Sequence, residues 1–267
     1  MSVRVGIAGA GGRMGRALLE AASAAVDVAI GAALDIEGSP WIGRDASELA
    51  AGAKGVKVVS DPAAALAACD VLIDFTRPEG TMAHLAACRA AKKKLVIGTT
   101  GFTQEQLATI REAANDIAIV LAPNMSVGVN VMMKLVALAS RALGSDYDVE
   151  VFEMHHKLKV DAPSGTALKL GEVAAKARGT SLEKAGVYAR QGVTGERRPG
   201  TIGFSAARGG DAVGDHTVFF AGAGERIELT HRATSRTNFA QGAIRAAKFL
   251  QGKAPGLYGM EDVLELK

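Results

Sequence analysis

Residues 153 to 166 read Glu153-Met154-His155-His156-Lys157-Leu158-Lys159-Val160-Asp161-Ala162-Pro163-Ser164-Gly165-Thr166, two imidazoles and two ammonium groups crowded against two carboxylates. Imidazole titrates near neutrality, and a lysine beside other cations or away from water loses part of its hold on its proton, so both can deliver a proton at physiological pH. Short patterns of this kind also occur as solvated basic turns, and the residue types alone leave both readings open. A metal centre is disfavoured: the chain has five histidines, none with a Cys or carboxylate at a ligand spacing. The adjacent His155 and His156 would also point to opposite faces of a strand, so no metal is expected.

Elements on both sides must hold this stretch in place. Asp148 to Met154 alternates polar and apolar residues and reads as a strand running into the cluster. Pro163 stops regular structure, Gly165 relaxes the backbone, and Ser164 or Thr166 can cap a helix beginning near Ala167. A capped helix start presents free N–H groups and the positive end of a dipole, which suits a carboxylate or phosphate. The stretch therefore sets proton donors beside an anion site.

A second constellation opens the chain. Val3 to Ala8 reads as a buried strand, followed by Gly9-Ala10-Gly11-Gly12-Arg13-Met14-Gly15 and an apolar-periodic helix. Strand, glycine turn and helix make half of a dinucleotide-binding unit, with Gly9, Gly12 and Gly15 supplying the tight turn, the close approach to a pyrophosphate and the helix packing. Val26 to Leu34 reads as the next strand, and Asp35 stands at its end, about 20 residues past the glycines, where a carboxylate grips the adenosine ribose. The following residue is Ile36 rather than a cation suited to a 2′-phosphate. NADH is therefore the favoured cofactor, with NADPH left open should Arg13, Arg16 or Arg44 reach that phosphate.

The strand and helix rhythm continues through a strand at Gly55 to Val59, a helix at Pro62 to Ala68 and strands at Val71 to Phe75, Leu95 to Ile97 and Ile117 to Leu121. Ligands in such sheets lie beyond the carboxyl ends of the strands, so Phe75, Arg77, Gly98, Thr99 and Thr100 are expected to line the cofactor crevice. The chain is expected to cross to a second domain at Ala122 to Asn130. Thr201 to Ala207, His216 to Ala221 and Arg226 to His231 then form short alternating strands of an antiparallel or mixed sheet. His84 reads as packing or solvent-facing, and His216 and His231 receive no role. The polar loop Arg190 to Gly200 is either mobile or long enough to reach a neighbouring subunit, and a helix from Ser235 returns the tail to the first domain.

Bulk properties narrow the classes. With 267 residues, 48% hydrophobic and 22% charged, the chain can bury the cores of two modest domains. Net charge is +3 with the cations spread among acids, and aromatics are 4%, so no nucleic-acid partner is expected. Two isolated cysteines and the lack of a signal peptide or a membrane-length apolar run lead us to expect a cytoplasmic protein with no membrane partner.

Taken with the glycine turn and Gly98-Thr99-Thr100-Gly101, the Glu153-x-His155-His156-x-x-Lys159-x-Asp161-Ala162-Pro163-Ser164-Gly165-Thr166-Ala167 pattern resembles the 4-hydroxy-tetrahydrodipicolinate reductase family, over essentially the full chain. The resemblance implies an N-terminal Rossmann-type doubly wound parallel sheet over 1–126 and 236–267. It also implies an α+β domain with an open mixed sheet over 127–235 that binds substrate and assembles a homotetramer. The cofactor segments implied are Gly9, Ala10, Gly11, Gly12, Arg13, Met14, Asp35, Gly98, Thr99, Thr100, Ala122, Pro123, Asn124 and Met125. His155 and Lys159 are the implied proton donors, and His156, Gly165 and Thr166 the implied holders of a carboxylate on a small cyclic dicarboxylate substrate. Two other readings compete: another two-domain nicotinamide oxidoreductase acting on a sugar or amino acid, and a dinucleotide-binding sensor or scaffold without turnover.

Overall fold

Six of the β-strands described below carry apolar residues on both faces, and this is what buries a parallel sheet between two helical layers. The computed structural model describes residues 2–266. In chain order the elements are β1 (Val3–Ala8), α1 (Arg13–Ala24), β2 (Val28–Leu34), β3 (Val58–Val59), α2 (Pro62–Ala68), β4 (Val71–Asp74), α3 (Pro78–Ala90), β5 (Lys94–Ile97), α4 (Gln104–Ala113), β6 (Ala118–Leu121), α5 (Val127–Leu143) and β7 (Asp148–His155). They continue with α6 (Gly165–Ala177), α7 (Leu182–Ala185), β8 (Gly186–Val187), β9 (Ile202–Arg208), β10 (Gly214–Ala221), β11 (Arg226–Ala233), α8 (Thr237–Leu250), β12 (Gly256–Tyr258) and α9 (Met260–Val263).

Two compact units result, one from residues 1–127 and 236–267, the other from 128–235. In the first, a seven-stranded parallel sheet runs in the order β12-β6-β5-β4-β1-β2-β3. Alternate residues of each strand serve opposite layers. Val71 and Ile73 join the cluster containing Leu18, Leu19 and Ala243 of α1 and α8, whereas Leu72 joins the one containing Leu66, Leu85 and Ile110 of α2, α3 and α4. The second unit is a mixed sheet, β11-β10-β7-β9-β8, antiparallel on one side of β7 and parallel on the other. Its core gathers Val149, Val151, Ile202, Phe204, Val218 and Phe220 against Met132 and Val136 of α5 and Leu170 of α6. A doubly wound parallel sheet with a separate mixed-sheet unit is the expected fold class.

Three local expectations need correction. The strand expected at Gly55 to Val59 shrinks to the two residues of β3, since Gly55 takes φ +86 and Val56 N donates to Ala53 O in a turn. Val26 is exposed and Asp27 has φ 65, so β2 starts only at Val28. No membrane-length apolar run was expected, yet Val127–Asp146 spans 20 residues and passes for one by length and composition. Lys134 and Arg141 interrupt it, and one row of the helix, with Met132 and Val136, packs into the second unit's core while Val131, Leu135 and Leu138 are exposed.

The glycine turn is sterically determined. Gly9 takes φ +68, a region that costs other residues energy. A Cβ on Gly15 would lie 2.1 Å from the Gly9 carbonyl oxygen and 2.7 Å from the Ala10 Cα, both backbone atoms. Gly15→Ala must therefore push α1 away from β1, at a cost of about 1–3 kcal/mol. The expected result is a melting temperature lower by roughly 3–10 °C in calorimetry; an unchanged value would mean that the helix yields freely.

Candidate active site

In the second unit, β7 runs with Val149, Val151, Glu153 and His155 on its buried row and exposed or half-buried residues between them. Period-two alternation thus places the last two, one carboxyl and one imidazole, on the face that its valines give to the core. His155 Nδ1 lies 2.6 Å from Glu153 Oε2. Glu153 is 1% exposed and accepts three further bonds, from Arg208 Nη1 and Nη2 at 2.8 Å each and from the Ser164 N–H at 3.0 Å. Burial by itself would raise its pKa, but the Arg208 guanidinium, the His155 ring and the Ser164 N–H together hold the carboxyl below its ordinary range. With Nδ1 committed to a carboxylate, the Nε2 edge of His155 faces Gly214, where a Cβ would come within 2.9 Å of it.

Ser164 links this group to α6. Its hydroxyl accepts from Ala167 N at 3.2 Å, capping the helix, and sits 3.0 Å from His216 Nε2. The peptide before it, Ala162–Pro163, is cis. Gly165 is exposed, with open space where a Cβ would stand, so the capped helix end faces outward at Gly165 and Thr166. His216 pairs in register with Glu153, and its ring lies 5.2 Å from that of His155 at 76°. Burial, and then the like charge of His155, push its pKa down to about 4.

Lys159 turns back on the neighbouring acid, with Nζ 2.7 and 2.9 Å from the two Asp161 oxygens. That ion pair holds the half-exposed Asp161 carboxyl below its usual range. His156 is half-buried, its N–H bonded to Ala212 O at 2.8 Å and its Nδ1 buried without a partner among the described residues. The structure therefore brings His155, Glu153, Ser164 and His216 into one bonded group, with Lys159 held separately by Asp161.

The first unit carries the other constellation. Gly11 N–H donates to Asp35 Oδ2 at 3.1 Å, and the same carboxylate accepts from Ile36 N at 2.9 Å and Ser39 Oγ at 3.0 Å. α1 begins after Gly12 with no side-chain cap, leaving its first N–H groups, at Arg13 and Met14, for an anion. A Cβ on Gly11 would meet Asp35 Oδ2 at 2.6 Å and the Trp41 ring at 2.5 Å, so only a bare backbone lies between the turn and that carboxylate. These features fit a dinucleotide. Arg16 and Arg44 guanidiniums lie over Trp41 at 5.1 and 4.9 Å, and Arg44 also pairs with Glu48.

Two further segments sit at the same strand ends. Gly98 packs on the Phe75 ring, Thr99 is buried and Thr100 exposed. Ala122 N donates to Ile97 O at 3.1 Å, Pro123 is exposed, Asn124 Oδ1 accepts from Ser126 N at 2.9 Å, and Met125 is buried. Among the described residues no group of three His, Cys, Asp or Glu could hold a metal ion. Arg208 and His216 escaped the sequence reading, because only the sheet register brings them to Glu153; the strand alternation that places Glu153 beside His155 was available in the sequence.

Comparison with known proteins identifies relatives along the whole chain. Residues 3–125 match the family described as Dihydrodipicolinate reductase, N-terminus, and residues 128–264 match Dihydrodipicolinate reductase, C-terminus. The 4-hydroxy-tetrahydrodipicolinate reductase of Thiobacillus denitrificans is 58% identical over 267 residues, 100% of both chains. That of Nitrosomonas europaea is 55% identical over 265 residues, 99% of each. A dipicolinate-bound dihydrodipicolinate reductase from Paenisporosarcina sp. TG-14 superimposes with a TM-score of 0.77 at 26% identity, covering 98% of this chain and 99% of that one. A scyllo-inositol dehydrogenase from Lactobacillus casei with bound NAD(H), at TM-score 0.60 and 13% identity over 99% and 94% of the chains, shares the fold.

His216 gives the site a pH dependence with a definite sign. Unfolded, its imidazole binds a proton below about pH 6.5, whereas the folded protein takes it up only near pH 4. Between those values the unfolded chain holds more protons, so stability rises with pH and is lost as pH falls through the window. His216→Gln should remove on the order of 3 kcal/mol of that dependence. Urea unfolding at pH 4.5 and 7 measures it, and parallel losses in both proteins would contradict it.

Proposed function

Because the chain belongs to the dihydrodipicolinate reductase family and reduces 4-hydroxy-tetrahydrodipicolinate to tetrahydrodipicolinate in lysine and diaminopimelate biosynthesis, we propose that His155 and Lys159 are its proton donors. The observation that carries the assignment is the 2.6 Å bond between His155 Nδ1 and Glu153, which fixes the ring and turns Nε2 away from that carboxylate, on the edge beside Gly214. The cofactor is a nicotinamide dinucleotide, and when bound it would supply the hydride that adds at ring C4 once the 4-hydroxyl has left as water and the ring is unsaturated.

Gly9 to Met14 would hold the pyrophosphate on the α1 N-terminus and Asp35 the adenosine ribose. Gly98, Thr99, Thr100 and Ala122 to Met125 would line the nicotinamide side. Reduction of the ring leaves an electron-rich enamine that must gain a proton. The Lys159 ammonium and the His155 imidazole would stabilise charge building on the ring nitrogen and supply that proton, a combined electrostatic and general-acid role. Asp161 holds the ammonium in place until then, through Nζ contacts to both of its oxygens. A substrate carboxylate would rest on His156 and on the N–H groups of Gly165 and Thr166, where Ser164 caps the helix and leaves its dipole pointing outward.

NADH is the favoured cofactor. Ile36 offers no cation beside Asp35, while Arg44 is committed to Glu48 and Arg16 Nε to the Gly11 carbonyl. Family membership also supports a homotetramer assembled through the second unit, whose sheet exposes Phe152.

His155→Gln and Lys159→Ala should each lower kcat by about 10²–10³ while changing substrate KM far less. Substitution at Gly165 or Thr166 should chiefly raise KM. Steady-state assays, with substrate generated in the cuvette from pyruvate and aspartate semialdehyde, separate these cases; a normal kcat in His155→Gln and Lys159→Ala would refute the assignment. In the same assay NADH should outperform NADPH, and Ile36→Arg should narrow the gap; equal use by the unaltered protein would discard the Ile36 argument.

A further inference from the structure

Within the first unit, Asp74 is fully buried at the end of β4. Its position in the sheet is special: strand order runs outward through β2 and β3 on one side of the β1–β4 pair and through β5 and β6 on the other. Ligands of doubly wound sheets sit above such a reversal. Asp74 pairs in register with Ala8, one residue before the glycine turn, and with Ile97, one residue before Gly98.

The carboxylate collects polar groups from three segments. Oδ1 accepts from Thr76 N at 2.8 Å, from Thr76 Oγ1 at 2.7 Å and, more weakly, from Thr99 Oγ1 at 3.4 Å. Oδ2 lies 2.7 Å from His84 Nδ1, on the inner side of α3. One turn earlier on that helix, buried Thr81 donates through Oγ1 to Thr99 Oγ1 at 2.8 Å. Burial would raise the Asp74 pKa, but the His84 bond and charge and the Thr76 bonds outweigh it and hold the carboxyl low.

Packing alone does not call for such an arrangement, since an apolar side chain would fill the same space without desolvating an anion. What the network does is fix the Thr99 hydroxyl from two sides and tie the 98–100 turn to α3. We propose that Asp74 and His84 form a positioning pair which, through Thr81 and Thr99, holds the 98–100 turn in the conformation that receives the dinucleotide. This rests on the reading of residues 98–100 as a cofactor segment. Neither residue need touch the cofactor.

The test is NADH affinity, measured by fluorescence titration of the purified full chain, with amide exchange across residues 95–101 followed in the protein free of ligand. His84→Leu should weaken NADH binding about tenfold and speed exchange in that turn. His84→Asn, whose amide nitrogen replaces Nδ1, should restore most of both. Thr81→Val removes the hydroxyl that bonds Thr99 and lies 3.5 Å from Thr76 Oγ1; it should weaken binding about threefold, and it tests the idea even if His84→Leu fails to fold. Asp35→Ala reports separately on the dinucleotide reading. Loss of affinity in Asp35→Ala with none in His84→Leu or Thr81→Val overturns the positioning pair alone. An Asp35→Ala protein that binds NADH normally overturns the reading beneath it as well. A lowered melting temperature in His84→Leu with unchanged affinity would mark the pair as structural and also overturn the proposal.

Discussion

A carboxylate almost shut off from water governs the mixed-sheet unit. An unpaired buried anion costs several kcal/mol, so Glu153 survives at 1% exposure only because four donor contacts converge on it. Each donor belongs to a different stretch of chain: Arg208 at the end of β9, His155 at the end of β7, and the Ser164 amide at the entry to α6. None can be displaced without leaving charge unmet. The His155 ring, the cap of α6 and the strand ends are therefore fixed by the same requirement.

The parallel-sheet unit solves a similar problem in a similar way. Asp74 interrupts the apolar run of β4 at its last position, just as Glu153 breaks into the valine row of β7. In each case an acid stands where the local pattern asks for another hydrophobe, and in each it organises hydroxyl, imidazole or guanidinium groups that the backbone alone would not align. Departures from local pattern are expected where function, not folding, decides the residue.

Sequence reading reaches this architecture unevenly, for physical reasons. The glycine turn, Asp35 and the strand and helix alternation are legible because each is a short-range steric or periodic constraint. The 153–166 stretch stands out for the same reason, and its residues name the family. Arg208 lies 55 residues from Glu153, and His216 reaches Ser164 across 52. Only the pairing of β7 with β9 and β10 makes them neighbours, and nothing in periodicity specifies that pairing. His84 looked like a mid-helix packing residue because its partner comes from a strand ten residues earlier. The shortened β3 was missed because an apolar pair beside a positive-φ glycine resembles a strand until the turn is seen.

The path of the chain through its two units has a consequence for synthesis. The face of the parallel sheet that carries Val5, Ile7, Ile73, Val96 and Val120 is covered in part by α8, and β12 completes the sheet's edge beyond β6. Both come from residues 237–258, whereas 128–235 emerge earlier and close on themselves. At about 5–20 residues per second, that apolar face waits several seconds on the ribosome for its helix while the intervening unit already has every segment it needs. The middle of this chain is thus equipped to fold before its beginning, and the nascent nucleotide-binding sheet is the part a chaperone would have most reason to hold.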